Sequence, residues 1–333
     1  MKNQSIRRRT LRIFSFIFAL LLVFTACSPK KEVSEIQMLA LKGPTSMGLA
    51  QLLKDQKDGN ENTLKGYSVA SSPDQALTAF VNGEVDLATV PSNMAALLYQ
   101  KLKGDIQVLH INTLGVLYIV EAGQTVKTLK DLEGRTLYAA GKGATPEYAL
   151  AYLLDENGID RQSVHVEWQQ DHTQALQALA KDPQGLALLP QPFVTVAQTK
   201  MEKLHIALDL TEEWDKIQEG SQTPSALVMG VTIARKSFVD EHKSLIDQYL
   251  KEAEASITFV RDNPQEAGKI IGDDLDIIKT PIAQKALPYC NITYIDGQEM
   301  KDKLQGFLTF LFKENPKSVG GQLPGDDFYY LAK

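Results

Sequence analysis

Cysteine is scarce in this sequence. Only Cys27 and Cys290 occur among 333 residues, which excludes a small module held together by many disulfides. Cys290 stands beside alternating apolar residues. This setting predicts a small buried side chain rather than a nucleophile.

Metal-binding and catalytic motifs are also missing. The five histidines have no metal-ligand spacing, and the patterns H-E-x-x-H, C-x-x-C, G-x-S-x-G and G-x-x-x-x-G-K-[ST] do not occur. The turn Gly-Lys-Gly-Ala-Thr-Pro at 141–146 begins like a dinucleotide-binding loop, but proline replaces its third glycine. We therefore predict no metal site, no cofactor and no enzymatic activity.

Excess positive charge is absent from the chain as a whole. The net charge is -6, with 23% charged and 44% hydrophobic residues, which is typical of a soluble globular protein. Nucleic-acid binding needs a basic face that releases counterions from phosphates, so no nucleic-acid partner is predicted. The length of 333 residues favours two domains over a single core.

The basic residues are concentrated at the N-terminus. Lys2 and four arginines precede an apolar run at 13–24, which is short for a transmembrane helix and typical of a secretion signal. Small residues then lead to Cys27 in Phe-Thr-Ala-Cys, which resembles a bacterial lipobox, although phenylalanine replaces the usual leucine. The alternative is a signal anchor that stays in the membrane.

Cleavage before Cys27 would leave 30 basic and 41 acidic residues, a net charge of -11. A diacylglycerol on Cys27, with an acylated amino group, would supply the two or more chains that stable anchoring needs. We therefore predict a signal peptide at 1–26, lipidation of Cys27 and a polar tether at 27–35. The location would be the extracytoplasmic face of the cell membrane.

The remaining chain alternates between strand-like and helix-like segments, which predicts mainly parallel sheets covered by helices. Residues 136–157 repeat the strand, glycine turn and apolar helix of the opening segment at 36–54. Residues 86–93 and 186–192 form a second similar pair. We predict a discontinuous first lobe at 36–115 and 226–333, and a second lobe at 116–225.

Four loops follow predicted parallel strands and precede predicted helices, at 43–46, 91–93, 141–145 and 191–192. Such loops form the ligand wall of open α/β sheets, and helix N-termini with hydroxyl groups suit a polar or anionic group. Lys42 and Lys142 are candidate charges, although a solvated lysine is the more common case. Thr45, Ser46 and Thr145 are also ordinary helix caps.

Five segments of the chain carry a resemblance to a known family. They are Leu-Lys-Gly-Pro-Thr-Ser-Met-Gly at 41–48, Asn-Gly-Glu-Val-Asp-Leu-Ala-Thr-Val-Pro-Ser-Asn at 82–93, Gly-Lys-Gly-Ala-Thr-Pro-Glu-Tyr at 141–148, Leu-Pro-Gln-Pro-Phe-Val at 189–194 and Asn-Pro-Lys-Ser-Val-Gly-Gly at 315–321. With these segments, the chain resembles the substrate-binding lipoproteins of bacterial ABC importers in the type II periplasmic-binding-protein class, and most closely the nitrate, sulfonate, taurine and thiamine-precursor branch.

The resemblance implies two Rossmann-like lobes with mixed, mainly parallel sheets and a ligand cleft between them. It implies a monomer that delivers a small solute to ABC permease and ATPase subunits, with hinges near 113–120 and 225–231. The residues expected to face the ligand are Gly43, Pro44, Thr45, Ser46, Ser92, Asn93, Thr113, Gly143, Ala144, Thr145 and Gln191. Tyr118, Tyr148 and Phe193 could line the pocket or belong to the core.

Two alternatives share parts of this pattern. An enzyme on the same fold is opposed by the lipobox and by the lack of a histidine, cysteine or carboxylate cluster in the loops. A surface lipoprotein with a sensory or adhesive role shares the anchor, and a neighbouring permease gene would separate it from an importer component. The identity and charge of the solute stay open.

Overall fold

The computed structural model describes residues 36–182, 184–219 and 225–331. The predicted signal peptide, Cys27 and the whole predicted tether lie outside the described residues. Among the helices of the described ranges, none combines the length and apolarity that a membrane span requires.

The described chain alternates between short strands and helices. The strands are β1 (Ile36–Leu41), β2 (Leu64–Ala70), β3 (Leu87–Pro91), β4 (Gln107–Thr113), β5 (Leu117–Glu121), β6 (Thr136–Ala140), β7 (His165–Gln169), β8 (Leu186–Pro190), β9 (His205–Asp209), β10 (Gly230–Ala234) and β11 (Ile292–Ile295). The helices are α1 (Pro44–Met47), α2 (Ala50–Asp58), α3 (Pro73–Asn82), α4 (Ser92–Lys101), α5 (Thr145–Glu156), α6 (His172–Leu179), α7 (Phe193–Lys200), α8 (Leu210–Gln218), α9 (Lys236–Glu241), α10 (Lys243–Asp262), α11 (Pro264–Lys269), α12 (Thr280–Ala286) and α13 (Gly297–Glu314).

The strands form two mixed sheets with equivalent orders. The first sheet runs β11-β4-β10-β3-β1-β2, and the second runs β7-β6-β8-β5-β9. β1 pairs in parallel with β2 and β3, and β6 pairs in parallel with β7 and β8. β10 runs antiparallel to β3 and β4, β11 runs antiparallel to β4, and β5 runs antiparallel to β8 and β9. The predicted α/β class with mixed sheets is confirmed, although five of the nine strand pairings in the described ranges are antiparallel and four are parallel.

The chain crosses between the sheets twice. β4 ends in the first sheet at Thr113 and β5 begins in the second at Leu117. After α8, the chain returns as β10 between β3 and β4. The backbone N–H of Met229 donates to the Thr113 carbonyl over 3.0 Å, so the two crossing segments run side by side.

A continuous hydrophobic core connects the two sheets. One buried cluster includes Leu39 and Val90 of the first sheet, Ile119 and Leu188 of the second, and Trp214 of α8. A second cluster packs α2 and α10 against the other face of β1. Cys290 belongs to that second cluster and is fully buried, and burial raises its thiol pKa to about 12. The buried position that the sequence indicated for this cysteine is confirmed.

The buried histidine of β4 leads to a prediction about pH. His110 is fully buried, its ring stacks on Tyr294 at 5.0 Å, and burial lowers its pKa to about 4. An unfolded histidine titrates near 6.5, so between these values the unfolded chain binds the proton first. The neutral ring therefore contributes fully above pH 6.5, and about 3 kcal/mol of stability is lost as the pH falls to 4.

Urea unfolding between pH 7.5 and 4 measures this loss. His110→Phe keeps an aromatic ring but removes the titrating group, so its free energy of unfolding should fall less steeply over that range. Parallel pH profiles for the two proteins would contradict the assignment.

Candidate functional site

The loop after β1 is held by its own hydroxyl groups. Ser46 is fully buried and donates through Oγ to the Leu41 carbonyl over 2.7 Å. Thr45 is partly buried, with Oγ1 3.4 Å from the same carbonyl. Gly43 adopts a φ of 122°, a conformation that favours glycine, and precedes Pro44 at the start of α1. Thr45 is therefore the side chain of this loop that keeps an accessible surface and a hydroxyl.

Thr45 and Thr113 lie on either side of a glycine at the second crossing. A Cβ built on Gly230 would lie 2.4 Å from Thr45 Cγ2 and 3.2 Å from Thr113 Cβ. Thr113 is fully buried and donates to Asn112 Oδ1 over 3.0 Å. The ends of β1 and β4 and the start of β10 therefore meet at one point.

The loop after β3 is tied to neighbouring backbone. Ser92 Oγ donates to the Val228 carbonyl, and the Ser92 N–H donates to the Met229 carbonyl. Asn93 lies beside it and donates through Nδ2 to the Ser318 carbonyl over 3.4 Å. Both side chains of this predicted ligand loop are thus hydrogen-bonded to the protein itself.

The loop after β6 is more open than those of the first sheet. Lys142, Gly143 and Ala144 are exposed, and Thr145 is partly exposed. The Gly143 N–H donates to Glu147 Oε2 over 2.6 Å. The Glu147 carboxylate therefore lies at the N-terminal, positive end of the α5 dipole.

Tyr148 connects this loop to the C-terminal part of the chain. Its hydroxyl donates to the Gly143 carbonyl over 2.9 Å and accepts from Asn315 Nδ2 over 2.8 Å. Asn315 directly follows α13, which packs against β4 and α4 on one side and α5 on the other. Since Asn93 bonds to Ser318, the segment 315–318 contacts the first turns of α4 and α5, two helices that follow strands of different sheets.

Gln191 follows β8 and is only 2% exposed. Its Oε1 accepts hydrogen bonds from the backbone N–H and the hydroxyl of Thr195, over 3.3 and 2.9 Å. Its backbone N–H donates to the Val116 carbonyl at the first crossing. Its Nε2 is buried without a hydrogen-bond partner among the described residues.

The structure therefore brings Thr45 and Thr113 together at one point, and connects Asn93 with Gly143 through the segment 315–318. Gln191 is joined to the first crossing. No hydrogen bond between described residues joins the loop after β1 directly to the loop after β6.

Two larger cavities lie beside these loops rather than among them. One of about 780 Å³ lies between β9 and the turn before β11, and is lined by Tyr118, Asp209, Tyr289 and Asn291. The other, of about 960 Å³, lies between α5, α8 and α13. None of the eleven predicted ligand residues lines either cavity.

The sequence reasoning missed three residues that shape this region. His172 begins α6 after β7, and its Nδ1, like Gln191 Nε2 and His110 Nε2, is a buried nitrogen without a partner among the described residues. The loop after β7 could have been found as a fifth strand-end loop. Gly230 was visible as a glycine inside an apolar strand pattern, which indicates close contact. Asn315 carried no signal of its contact with Tyr148.

Two mixed sheets of matching order, with loops at the ends of their parallel strands meeting near two crossings, define a periplasmic-binding-protein fold. A family model described as the periplasmic substrate-binding protein of phosphonate ABC transporters matches residues 66–250, more than half of the chain. The chain belongs to this family, and its role is to bind a solute for an ABC transporter outside the cytoplasm. No curated protein matches the chain closely enough to count as a relative.

Solved structures share the fold. An ABC transporter protein from Parabacteroides distasonis is 24% identical, with a TM-score of 0.74, over 90% of this chain and 100% of that one. The periplasmic aliphatic sulphonate binding protein SsuA of Escherichia coli is 16% identical, with a TM-score of 0.67, over 90% and 93%. The desulfurization enzyme DSZB is 12% identical, with a TM-score of 0.57, over 84% and 93%.

Proposed function

We propose that this protein is a lipid-anchored, monomeric solute receptor that captures a small polar or anionic solute between two lobes. It then presents the solute to the permease of an ABC importer. The observation that supports this most directly is the contact of segment 315–318 with Asn93 on one side and Tyr148 on the other. Helices that follow strands of the two sheets thus contact the same short segment.

Closure of the lobes would couple binding to transport. A solute that touches both walls has a higher affinity for the closed form, and so shifts the population toward it. The hinges would be the crossings near 113–120 and 225–231, and the proposed lobes are 36–115 with 226–333, and 116–225. Contacts between α7 and α12, and from the Tyr118 hydroxyl to the Tyr289 carbonyl over 2.7 Å, would favour the closed form.

A ligand panel tests the binding role. The mature protein would be heated with ethanesulfonate, methylphosphonate, nitrate or thymine, because a solute that binds only the folded state raises the melting temperature. We expect at least one probe to do so, and calorimetry then gives its affinity. A melting temperature unchanged by all four would contradict the proposed solute classes.

Bulky side chains at the two partly exposed threonines should obstruct the site. Thr45→Leu and Thr145→Leu are each expected to weaken binding of the best probe about tenfold, because a larger side chain would occupy the space of the solute. Unfolding should remain cooperative, with a midpoint close to that of the unmodified protein. Unchanged calorimetric affinity in both variants would contradict the assignment of these loops.

The hydroxyl group of Tyr148, which contacts both Gly143 and Asn315, allows a further test of the site. Tyr148→Phe removes a hydroxyl that bonds both Gly143 and Asn315, so we expect about a tenfold loss of affinity for the same probe. Tyr138→Phe is the matched control. The Tyr138 hydroxyl donates to Asp182 over 3.2 Å, and this hydrogen bond involves none of the four loops. Equal affinities in the two variants would show that the hydrogen bonds of the Tyr148 hydroxyl to Gly143 and Asn315 play no part in binding.

The proposed anchor requires a separate experiment. When cells that express the full sequence grow with labelled palmitate, the protein should become labelled. Cys27→Ala should abolish the label and release the protein from membranes. Labelling that survives the substitution would rule out Cys27 as the modified residue.

An enzyme remains the second candidate because DSZB, which carries out a desulfurization, has the same fold. The family of this chain consists of binding proteins, which favours the receptor. Sulfite release from ethanesulfonate by the purified mature protein would support the enzyme instead.

A further inference from the structure

The unpartnered side-chain nitrogen of Gln191 points to a contact that the protein alone does not provide. Gln191 is 2% exposed, and its Nε2 has no partner among the described residues. A buried donor without an acceptor has lost its hydrogen bond to water and gained none in return, which is unfavourable. Buried polar atoms in folded proteins are nearly always paired, so an exception needs an explanation.

The orientation of this amide is determined by its neighbours. A backbone N–H can only donate, and the Thr195 N–H meets one end of the Gln191 amide at 3.3 Å. That end must therefore be the carbonyl oxygen, which the Thr195 hydroxyl also contacts at 2.9 Å. The free end must be the NH₂ group, and a flipped amide is excluded.

The surroundings of Gln191 belong to the proposed solute wall. It lies where β8 ends, one residue before Pro192 at the start of α7, and α7 has no acidic residue in its first turn. The Phe193 ring of α7 lies 5.1 Å from the ring of His172, whose Nδ1 also lacks a partner among the described residues. These two unpartnered nitrogens lie on the loops after β7 and β8, which contact each other through the Phe193 and His172 rings, and they favour a wall that faces a polar molecule.

We propose that Gln191 Nε2 is a specificity-determining donor of the solute site. The bound molecule then carries a hydrogen-bond acceptor at this position, an oxygen or an unprotonated ring nitrogen. A molecule whose corresponding end is an ammonium group offers only donors and is rejected. This inference rests on the proposed function. It names the atom through which the loop after β8, in the second sheet, selects the solute.

The substitution Gln191→Glu tests the donor with little structural change. Glutamate has the same shape and still accepts both hydrogen bonds from Thr195, but it replaces the donor with a charged acceptor. For the tightest of the four probes, we expect calorimetric affinity to fall about 100-fold or more, because two acceptors would face each other. Ethylamine, the ammonium counterpart of ethanesulfonate, should not raise the melting temperature of the unmodified protein.

Thr195→Val is the matched control. It removes the hydroxyl contact but leaves the backbone N–H that orients the amide, so affinity should fall only about threefold. A similar midpoint of unfolding for both variants would show that the fold is intact. Unchanged affinity in Gln191→Glu, or stabilisation by ethylamine, would overturn the donor role while leaving the solute receptor in place. Failure of every panel probe to bind the unmodified protein would overturn both.

Discussion

Replacing Gly230 with alanine is expected to lower the free energy of unfolding by about 3 kcal/mol. The added Cβ would lie 2.4 Å from Thr45 Cγ2 and 2.5 Å from Asn112 Oδ1. Neither neighbour can move easily, because Thr45 has a short branched side chain and buried Asn112 bonds both Thr113 and Thr232. Urea unfolding at neutral pH measures the loss.

The same substitution should also disturb binding. Displacement of Thr45 moves the loop after β1, so we expect the affinity for the best probe of the panel to fall as well. Gly66→Ala is the matched control in β2 of the same sheet. Its nearest neighbour, at 3.1 Å, is the end of the flexible Gln37 side chain, so the loss there should be below 1 kcal/mol. Equal losses at the two glycines would contradict the close contact.

A second substitution can confirm which contact is responsible. Thr45→Ser removes the methyl group that lies 2.4 Å from the new Cβ, so adding it to Gly230→Ala should recover part of the lost stability. Residues in contact show such non-additive effects, whereas distant residues do not. If the two substitutions instead lower the free energy of unfolding additively, the strain does not arise from the contact between the new Cβ and Thr45.

Periodicity in the sequence predicted the alternating fold well but misjudged the second crossing. The apolar run at 226–233 predicted one strand, whereas β10 begins at Gly230. Ala226, Leu227 and Val228 are buried at the crossing, so their pattern reflects burial rather than sheet pairing. β11 was missed because its four residues pair only with β4, through an irregular register.

The sequence could not show which partner each loop hydroxyl group bonds. Serine and threonine at helix starts suit both a ligand and the backbone of their own loop. In the structure, Ser46 and Ser92 use their hydroxyls on backbone carbonyls, whereas Thr145 makes no hydrogen bond to another described residue through its hydroxyl. Only distances between atoms distinguish these cases, because the local sequence patterns are alike.

Long-range partners were equally hidden. Asn315 and Tyr148 are separated by 167 positions and meet at 2.8 Å. Their meeting depends on α13 passing between the helices of the two sheets, a matter of tertiary packing that neither residue type signals. The free end of Gln191 depends in the same way on Thr195, four residues later.

Replacing Trp214 with alanine should cause the largest loss of stability, about 4 kcal/mol. Its fully buried ring lies 4.6 Å from Tyr152 of α5 and 5.0 Å from Phe310 of α13. Its Nε1 donates to the Ser225 carbonyl over 3.3 Å. Removing the ring would enlarge the cavity that already lies between α5, α8 and α13, and it would leave the Ser225 carbonyl without this donor.

Trp168→Ala is the matched control, because Trp168 is partly exposed on the edge strand β7. A partly solvated side chain contributes less on burial, so we expect less than half the loss there. Urea unfolding followed by circular dichroism compares both variants without relying on tryptophan fluorescence. Because α13 contacts helices of both sheets, Trp214→Ala should also weaken binding of the best probe, whereas Trp168→Ala should not. Equal losses of stability would contradict a central role for Trp214 at this junction.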